Sequence, residues 1–278
     1  MKITKKEVAR LVLKLLKEDK SHNDISSNYF IDKKQTAKAT ISSNENMVIS
    51  GLDFVIELFK KNCNGIKILS KLNDGSKIKK NSKILIIEGN ARKLLSAERS
   101  ALNLLQHLSG ISTFTERFCQ KVKKNKVIVL DTRKTTPGLR KFEKYATFIG
   151  GAKNHRLDLS KNYMIKDNHF FLNNKIFKKI EKMNIKKKKK LILECDNLSQ
   201  VKKAVDLQIK HILLDNMNIK NIKKAKKIIK NKAKIEVSGG INLKNIVKMS
   251  RIGVDFISIG AITQSAKAAN ISLELKKI

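Results

Sequence analysis

The sequence predicts an α/β protein in two parts: a smaller α+β domain over residues 1–114, then a helix-covered parallel sheet over 115–264. Three observations predict this. Short apolar runs recur from residue 127 onward, at VIVLDT (127–132), YMIK (163–166), LILEC (191–195), HILLDN (211–216), KIEVSG (234–239) and DFISIG (255–260). Segments with helical spacing separate them, and strands that are apolar throughout belong in sheets covered on both faces. The first 115 residues lack this alternation. Six βα units over ~135 residues fit a closed or nearly closed barrel, with a doubly wound open sheet as the alternative.

The elements follow in order. Val8, Leu11, Val12, Leu15 and Leu16 make one face of a helix over 4–18, read as part of the folded protein and not as a targeting segment. Strands are expected at 38–50, 66–72 and 82–88, and helices at 52–61 and 90–108. In the second domain, Leu139, Phe142, Ala146 and Ile149 form a helix closed by Gly150-Gly151. Further helical faces carry Val201, Ala204 and Val205, then Ile222, Ala225, Ile228 and Ile229, then Leu243, Ile246, Val247 and Ile252. Asn197 and Asn242 stand at expected helix N-caps. The tail 265–278 is expected to pack back on the first domain.

Composition excludes several classes. No apolar run approaches the ~20 residues that span a bilayer, so no membrane partner is expected. Cys63, Cys119 and Cys195 are odd in number and far apart, which argues against a disulfide scaffold and for a reducing, cytoplasmic location. The formal charge of +37 invites a nucleic-acid reading. The lysines, however, spread over most of the chain alongside many Asn and Ile, a pattern that AT-rich codons explain. Aromatic residues are only 5%, without Trp, which is poor material for base stacking. No specific nucleic-acid partner is expected, and the charge suits an anionic small substrate.

Functional groups in a parallel barrel gather at the C-terminal ends of its strands. Here Thr132 and Arg133 follow the first strand, and Lys166 ends the second. Glu194 ends the third, Asp215 the fourth, Ser238-Gly239-Gly240 the fifth and Ile259-Gly260-Ala261 the sixth. Any one of these alone reads as a strand end meeting solvent; the ordered set of cations, carboxylates and small-residue turns reads as a site. Arginine grips carboxylates through paired N–H groups. Two carboxylates on adjacent strand ends can hold Mg²⁺, directly or through water, and Mg²⁺ usually arrives with phosphate. The two turns can offer backbone N–H groups to a phosphate. The loop Gly150–Arg156 adds His155 and Arg156.

The stretches DTRKTTPGLRKFEKYA (131–146), GGAKNHRLDLSKNYMIKDNH (150–169), LECDNL, LLDN, EVSGGI and AERSALNLLQHLSGIST (97–113) are similar to those of the quinolinate phosphoribosyltransferase family. The resemblance runs over nearly the whole chain. It implies the type II phosphoribosyltransferase fold, an N-terminal α/β sandwich domain plus an incomplete α/β barrel. It implies a homodimer or higher homo-oligomer with shared active sites. It also implies transfer of the phosphoribosyl group of phosphoribosyl pyrophosphate to quinolinate with decarboxylation, assisted by Mg²⁺, giving nicotinate mononucleotide for NAD biosynthesis. Carried over by residue, Thr132, Arg133, His155, Arg156 and Lys166 would bind quinolinate, with Arg99 reaching in from a neighbouring subunit. Lys134, Glu194 and Asp215 would be catalytic, the two carboxylates holding ribose hydroxyls and Mg²⁺. Ser238, Gly239, Gly240, Ile259, Gly260 and Ala261 would cradle the 5′-phosphate. The chain departs from the family pattern at His107, Gln264 and Asn23, where Arg, His and Gly are usual.

Overall fold

The structure, a computed structural model, describes residues 3–278. The chain divides into two units, 1–116 with 141–151 and 266–278, and 117–140 with 152–265.

The first unit opens with α1 (Lys5–Glu18), started by a capping box in which Thr4 and Glu7 satisfy each other's backbone N–H groups. Its buried residues are Val8, Leu11 and Val12, the expected apolar face. There follow α2 (Ile25–Phe30), capped by Asp24, then β1 (Thr36–Ser43), β2 (Met47–Val48) and α3 (Leu52–Asn62). The strand expected at 38–50 therefore breaks in two. β1 alternates exposed and buried residues as a half-covered strand should, and Ser43-Asn44 turn away to meet Ser82 and Asn270. Next come β3 (Lys67–Lys71), β4 (Lys77–Ile78), β5 (Lys83–Asn90) and α4 (Ala91–Val122), the last turns of which lie in the second unit.

The helix expected at 90–108 thus runs on to Val122. Ile111, Phe118 and Val122 continue its buried stripe, and Gly110 inside it breaks nothing. Gly110 is there for space: a Cβ would overlap the backbone carbonyl of Lys267 in the C-terminal tail. Gly110→Ala should therefore destabilise the protein by on the order of 2 kcal/mol or more, because the obstacle is backbone and cannot rotate away. An unchanged midpoint in urea unfolding would refute this.

The second unit begins its sheet with β6 (Ile128–Leu130). Next comes α5 (Arg140–Ile149), all but its first residue grouped with the first unit. There Phe142 meets Phe54 edge-on at 5.4 Å, and the Tyr145 hydroxyl donates to Asp74 at 2.7 Å. Glu143, wholly buried, takes a 2.9 Å contact from His107. The sheet continues with β7 (Tyr163–Ile165), three short helices α6 (Asp167–Leu172), α7 (Ile176–Glu181) and α8 (Ile185–Lys188), then β8 (Leu191–Cys195), α9 (Leu198–Asp206), β9 (His211–Asp215), α10 (Ile219–Ile229), β10 (Lys234–Ser238), α11 (Ile246–Ser250), β11 (Phe256–Ser258) and α12 (Ala261–Gln264). Asn197 caps α9 in a box with Gln200, as expected. Asn242 does not cap α11, which starts later; its side chain instead accepts from Lys244 and Asn245 N–H in the preceding turn.

Strand order decides between barrel and open sheet. All six strands are parallel, in the order β6-β11-β10-β9-β8-β7. The first strand in the chain lies beside the last, and no reversal point of the kind that defines a doubly wound sheet occurs. This is a barrel open only between β6 and β7. On its open side β6 is met by one residue of the 150–156 loop: Lys153 N–H donates to Val129 and Asp131 N–H to Lys153. The chain closes with β12 (Ile271–Lys277), which pairs antiparallel with β1 in a sheet of order β12-β1-β5-β3.

Candidate active site

Register and the period-2 alternation of strands assign the side chains to faces. Leu193, Ile212, Ile235, Val237, Ile257 and Val129 are cross-strand partners or share their face, and all are buried. The opposite face carries Glu194 beside Leu213, Leu213 beside Glu236, Ser238 beside Asp215, and Glu236 beside Phe256. Extending the β7–β8 register by one residue sets Lys166 against Glu194, and their side chains meet at 2.5 Å. One face of the sheet is thus apolar, and the other bears ionisable groups toward the strand C-termini. Lys166, Glu194, Asp215 and Ser238 all fall on one face at the strand C-termini.

The cationic part of the rim is held under strain of charge. The Nε of Arg133 is buried and has no hydrogen-bond partner among the described residues. The Arg156 guanidinium donates to the Asn162 carbonyl at 3.1 Å and touches the Met164 sulfur at 3.4 Å. Burial, and after it the charge of Arg133, push the Arg156 pKa down. Two guanidiniums close enough to repel, one with an orphan buried N–H, fit a ligand with more than one negative charge. Pro137 and Gly138, the latter at φ 80°, turn the chain after β6 toward α5 and so fix Arg133 and Lys134 at the strand end.

The carboxylates lie beside them. Burial raises the Glu194 pKa, with Asp215 and Asp167 adding to it and Lys166 opposing it. Asp196 is raised as well, by burial and then by Asp167 and Asp215. The mutual repulsion places these acids within electrostatic reach of one another. No group of three or more His, Cys, Asp or Glu among the described residues could hold a metal alone. Two carboxylates without a closed cage fit a Mg²⁺ that keeps most of its ligands from water and a phosphorylated substrate.

The small-residue turns follow. Gly239 and Gly240 have φ of 89° and 61°, a conformation that disfavours a side chain. A Cβ on Gly239 would overlap the Asn216 side chain, whereas the space around Gly240 is open. At the end of β11, a Cβ on Gly260 would come within 2.9 Å of the Lys134 Cδ. The Thr263 hydroxyl donates to the Lys134 carbonyl at 2.6 Å. Lys134 is therefore drawn to the phosphate-type turn, while Arg133 stays with Arg156. Ile259 is buried and carries no polar group to the rim. Arg99 is exposed on α4 in the first unit and forms no ion pair among the described residues.

Sequence reasoning missed four buried polar groups under this rim: Glu236, Ser258, Asp131 and, half-buried, His211. Glu236 accepts from His211 Nε2 at 2.6 Å and from the Ser258 hydroxyl, and His155 Nε2 lies 3.5 Å away. Burial alone would raise its pKa, but the contacts with His155 and His211 outweigh that and hold it at about 2. Because the folded value lies below the ordinary 4.5, this carboxylate supports the fold above about pH 4.5, and the support fades as pH falls toward 2. The available signal was a carboxylate in the middle of the apolar run KIEVSG.

Family models match the chain in adjoining stretches: the quinolinate phosphoribosyl transferase N-terminal domain over 24–109 and C-terminal domain over 111–274. A protein of Methanocaldococcus jannaschii described as a probable nicotinate-nucleotide pyrophosphorylase (carboxylating) is 39% identical over 276 residues, covering 96% of each chain. The nicotinate-nucleotide pyrophosphorylase (carboxylating) of Mycobacterium leprae is 33% identical over 82% of each chain. The crystal structure of nicotinate-nucleotide pyrophosphorylase from Ehrlichia chaffeensis superposes with a TM-score of 0.93 at 38% identity, covering 99% of this chain and 100% of that one.

Proposed function

The chain belongs to the quinolinate phosphoribosyltransferase family, and from that premise we infer that it transfers the phosphoribosyl group of phosphoribosyl pyrophosphate to quinolinate. The products are nicotinate mononucleotide, CO₂ and pyrophosphate, a step of NAD biosynthesis. The observation that carries the reading is the orphan buried Nε of Arg133 beside the Arg156 guanidinium. A neutral or monoanionic ring leaves one of those charges unpaired; a pyridine dicarboxylate pairs both. No helix among the described residues is long and apolar enough to cross a membrane. The buried Cys63 and Cys195 thiols suit a reducing, cytoplasmic location.

Roles follow from position. Arg133, Arg156 and Lys166 bind the two carboxylates, and Thr132 lines the same strand end. Lys134 lies toward the sugar phosphate, which the turns Ser238–Gly240 and Gly260–Ala261 receive. Glu194 and Asp215 face the ribose and would hold Mg²⁺, which when bound offsets charge on the departing pyrophosphate. Their negative charge also stabilises the cationic sugar ring that forms as the C1–O bond breaks and the pyridine nitrogen attacks C1. The new positive nitrogen then stabilises the carbanion left on the neighbouring ring carbon when the adjacent carboxylate departs as CO₂, and a proton from water takes the carboxylate's place. Arg99 serves the barrel of a second copy, which makes the homodimer the active form.

A coupled assay for nicotinate mononucleotide tests the reading, with quinolinate or nicotinate as acceptor and phosphoribosyl pyrophosphate and Mg²⁺ present. Turnover with quinolinate alone is expected; turnover with nicotinate alone would overturn it. Glu194→Gln combined with Asp215→Asn is expected to remove Mg²⁺-dependent turnover while calorimetric binding of quinolinate persists. Wild-type turnover and Mg²⁺ dependence in that variant would make the two carboxylates merely structural.

A further inference from the structure

We propose that Glu236 is a positioning residue for this site: acting through His155, it fixes the loop that carries Arg156 and thereby sets the affinity for the dicarboxylate. The affinity part rests on the substrate reading above; the anchoring part does not.

Glu236 is 1% exposed at the centre of β10. A carboxylate so placed persists only where donors surround it. It has three: Ser258 on one oxygen, His211 and His155 on the other. The His155 ring is held from its second nitrogen as well, because the Arg156 N–H donates to Nδ1 at 2.8 Å. A nitrogen that accepts carries no proton, so the ring is the neutral tautomer with its proton on Nε2, facing Glu236. Both nitrogens thus have protein partners, and His155 joins the buried carboxylate to the backbone of Arg156. His211, stacked on Phe256 and partly exposed, is the second imidazole on that oxygen.

The same loop has a second anchor. Asp131 accepts from the His155 N–H at 2.8 Å and from the Asn154 side chain at 2.7 Å. Lys153 is tied to β6 by backbone bonds. Loss of Glu236 therefore leaves the path of the loop in place and loosens its far end, where Arg156 stands. The expected defect falls on the dicarboxylate and spares the phosphate turns.

Glu236→Gln keeps the shape but removes the charge and leaves one acceptor oxygen where the carboxylate offers two. Its dissociation constant for quinolinate should rise ten-fold or more by calorimetry, while that for phosphoribosyl pyrophosphate stays within about three-fold and unfolding remains cooperative. Nitrogen-15 spectra of the wild-type histidine rings should show His155 protonated on Nε2 alone, and Glu236→Gln should disturb that pattern. Equal loss for both ligands, or no loss for either, overturns the proposal. So does a wild-type His155 that carries its proton on Nδ1 or on both nitrogens, a measurement that stands even if the variant fails to fold. Wild-type protein that binds no quinolinate overturns the substrate reading and the affinity claim with it; the wild-type tautomer then decides the anchoring alone.

Discussion

Arg133→Ala should weaken quinolinate binding by roughly 10- to 150-fold while phosphoribosyl pyrophosphate binds nearly as before, the loss expected for a charge-assisted hydrogen bond worth about 1.5–3 kcal/mol. Arg133 is a sharper probe than Lys166. Lys166 is also the 2.5 Å partner of Glu194, so its removal changes the carboxylate side of the site too. The Nε of Arg133 has no protein partner to lose among the described residues. Its truncation also relieves the repulsion on Arg156, which should make the folded protein no less stable. Calorimetry with each ligand separates the outcomes. Equal losses for the two ligands would move Arg133 out of the dicarboxylate site.

Two inactive variants should restore one another. If Arg99 serves the barrel of a second copy, Arg99→Ala and Arg156→Ala are each nearly dead alone. After dissociation and reassembly of an equal mixture, about half of the dimers are hybrids, and each hybrid has one undamaged site. Activity should recover to roughly a quarter of the wild-type value. The exposure of Arg99 on α4 without an ion pair among the described residues is what motivates the test. No recovery, with subunit exchange confirmed by a mass label, would show that Arg99 acts within its own chain or not at all.

The parts of this protein legible in the sequence are those governed by short-range periodicity. The six apolar runs became the six barrel strands, each trimmed by a residue or more except LILEC. Their C-terminal residues gave the rim, because one strand direction puts every such end on the same side. Short helices escaped: α2 and α6–α8 span four to six residues each, too few for a 3.6-residue stripe to declare itself. The extent of α4 escaped because Gly110 looks like a stop locally, while the reason for it is the tail some 157 residues later. Glu236 escaped because its partners lie on three other elements, two brought beside it by strand register and the third, His155, by the 150–156 loop.

The pairing of β12 with β1 makes an early strand wait for one synthesised far later. β1 lies inside its sheet, yet one of its edges is completed only by residues 271–277, with Ala37 opposite Lys277. At synthesis rates of about 5–20 residues per second, that edge waits on the order of 10–50 s for its partner. The barrel strands, which end at Ser258, have all emerged before then. Until then the nascent chain carries β1 as an open strand edge of the kind that recruits other chains; the seven-residue β12 covers it and takes the edge position itself.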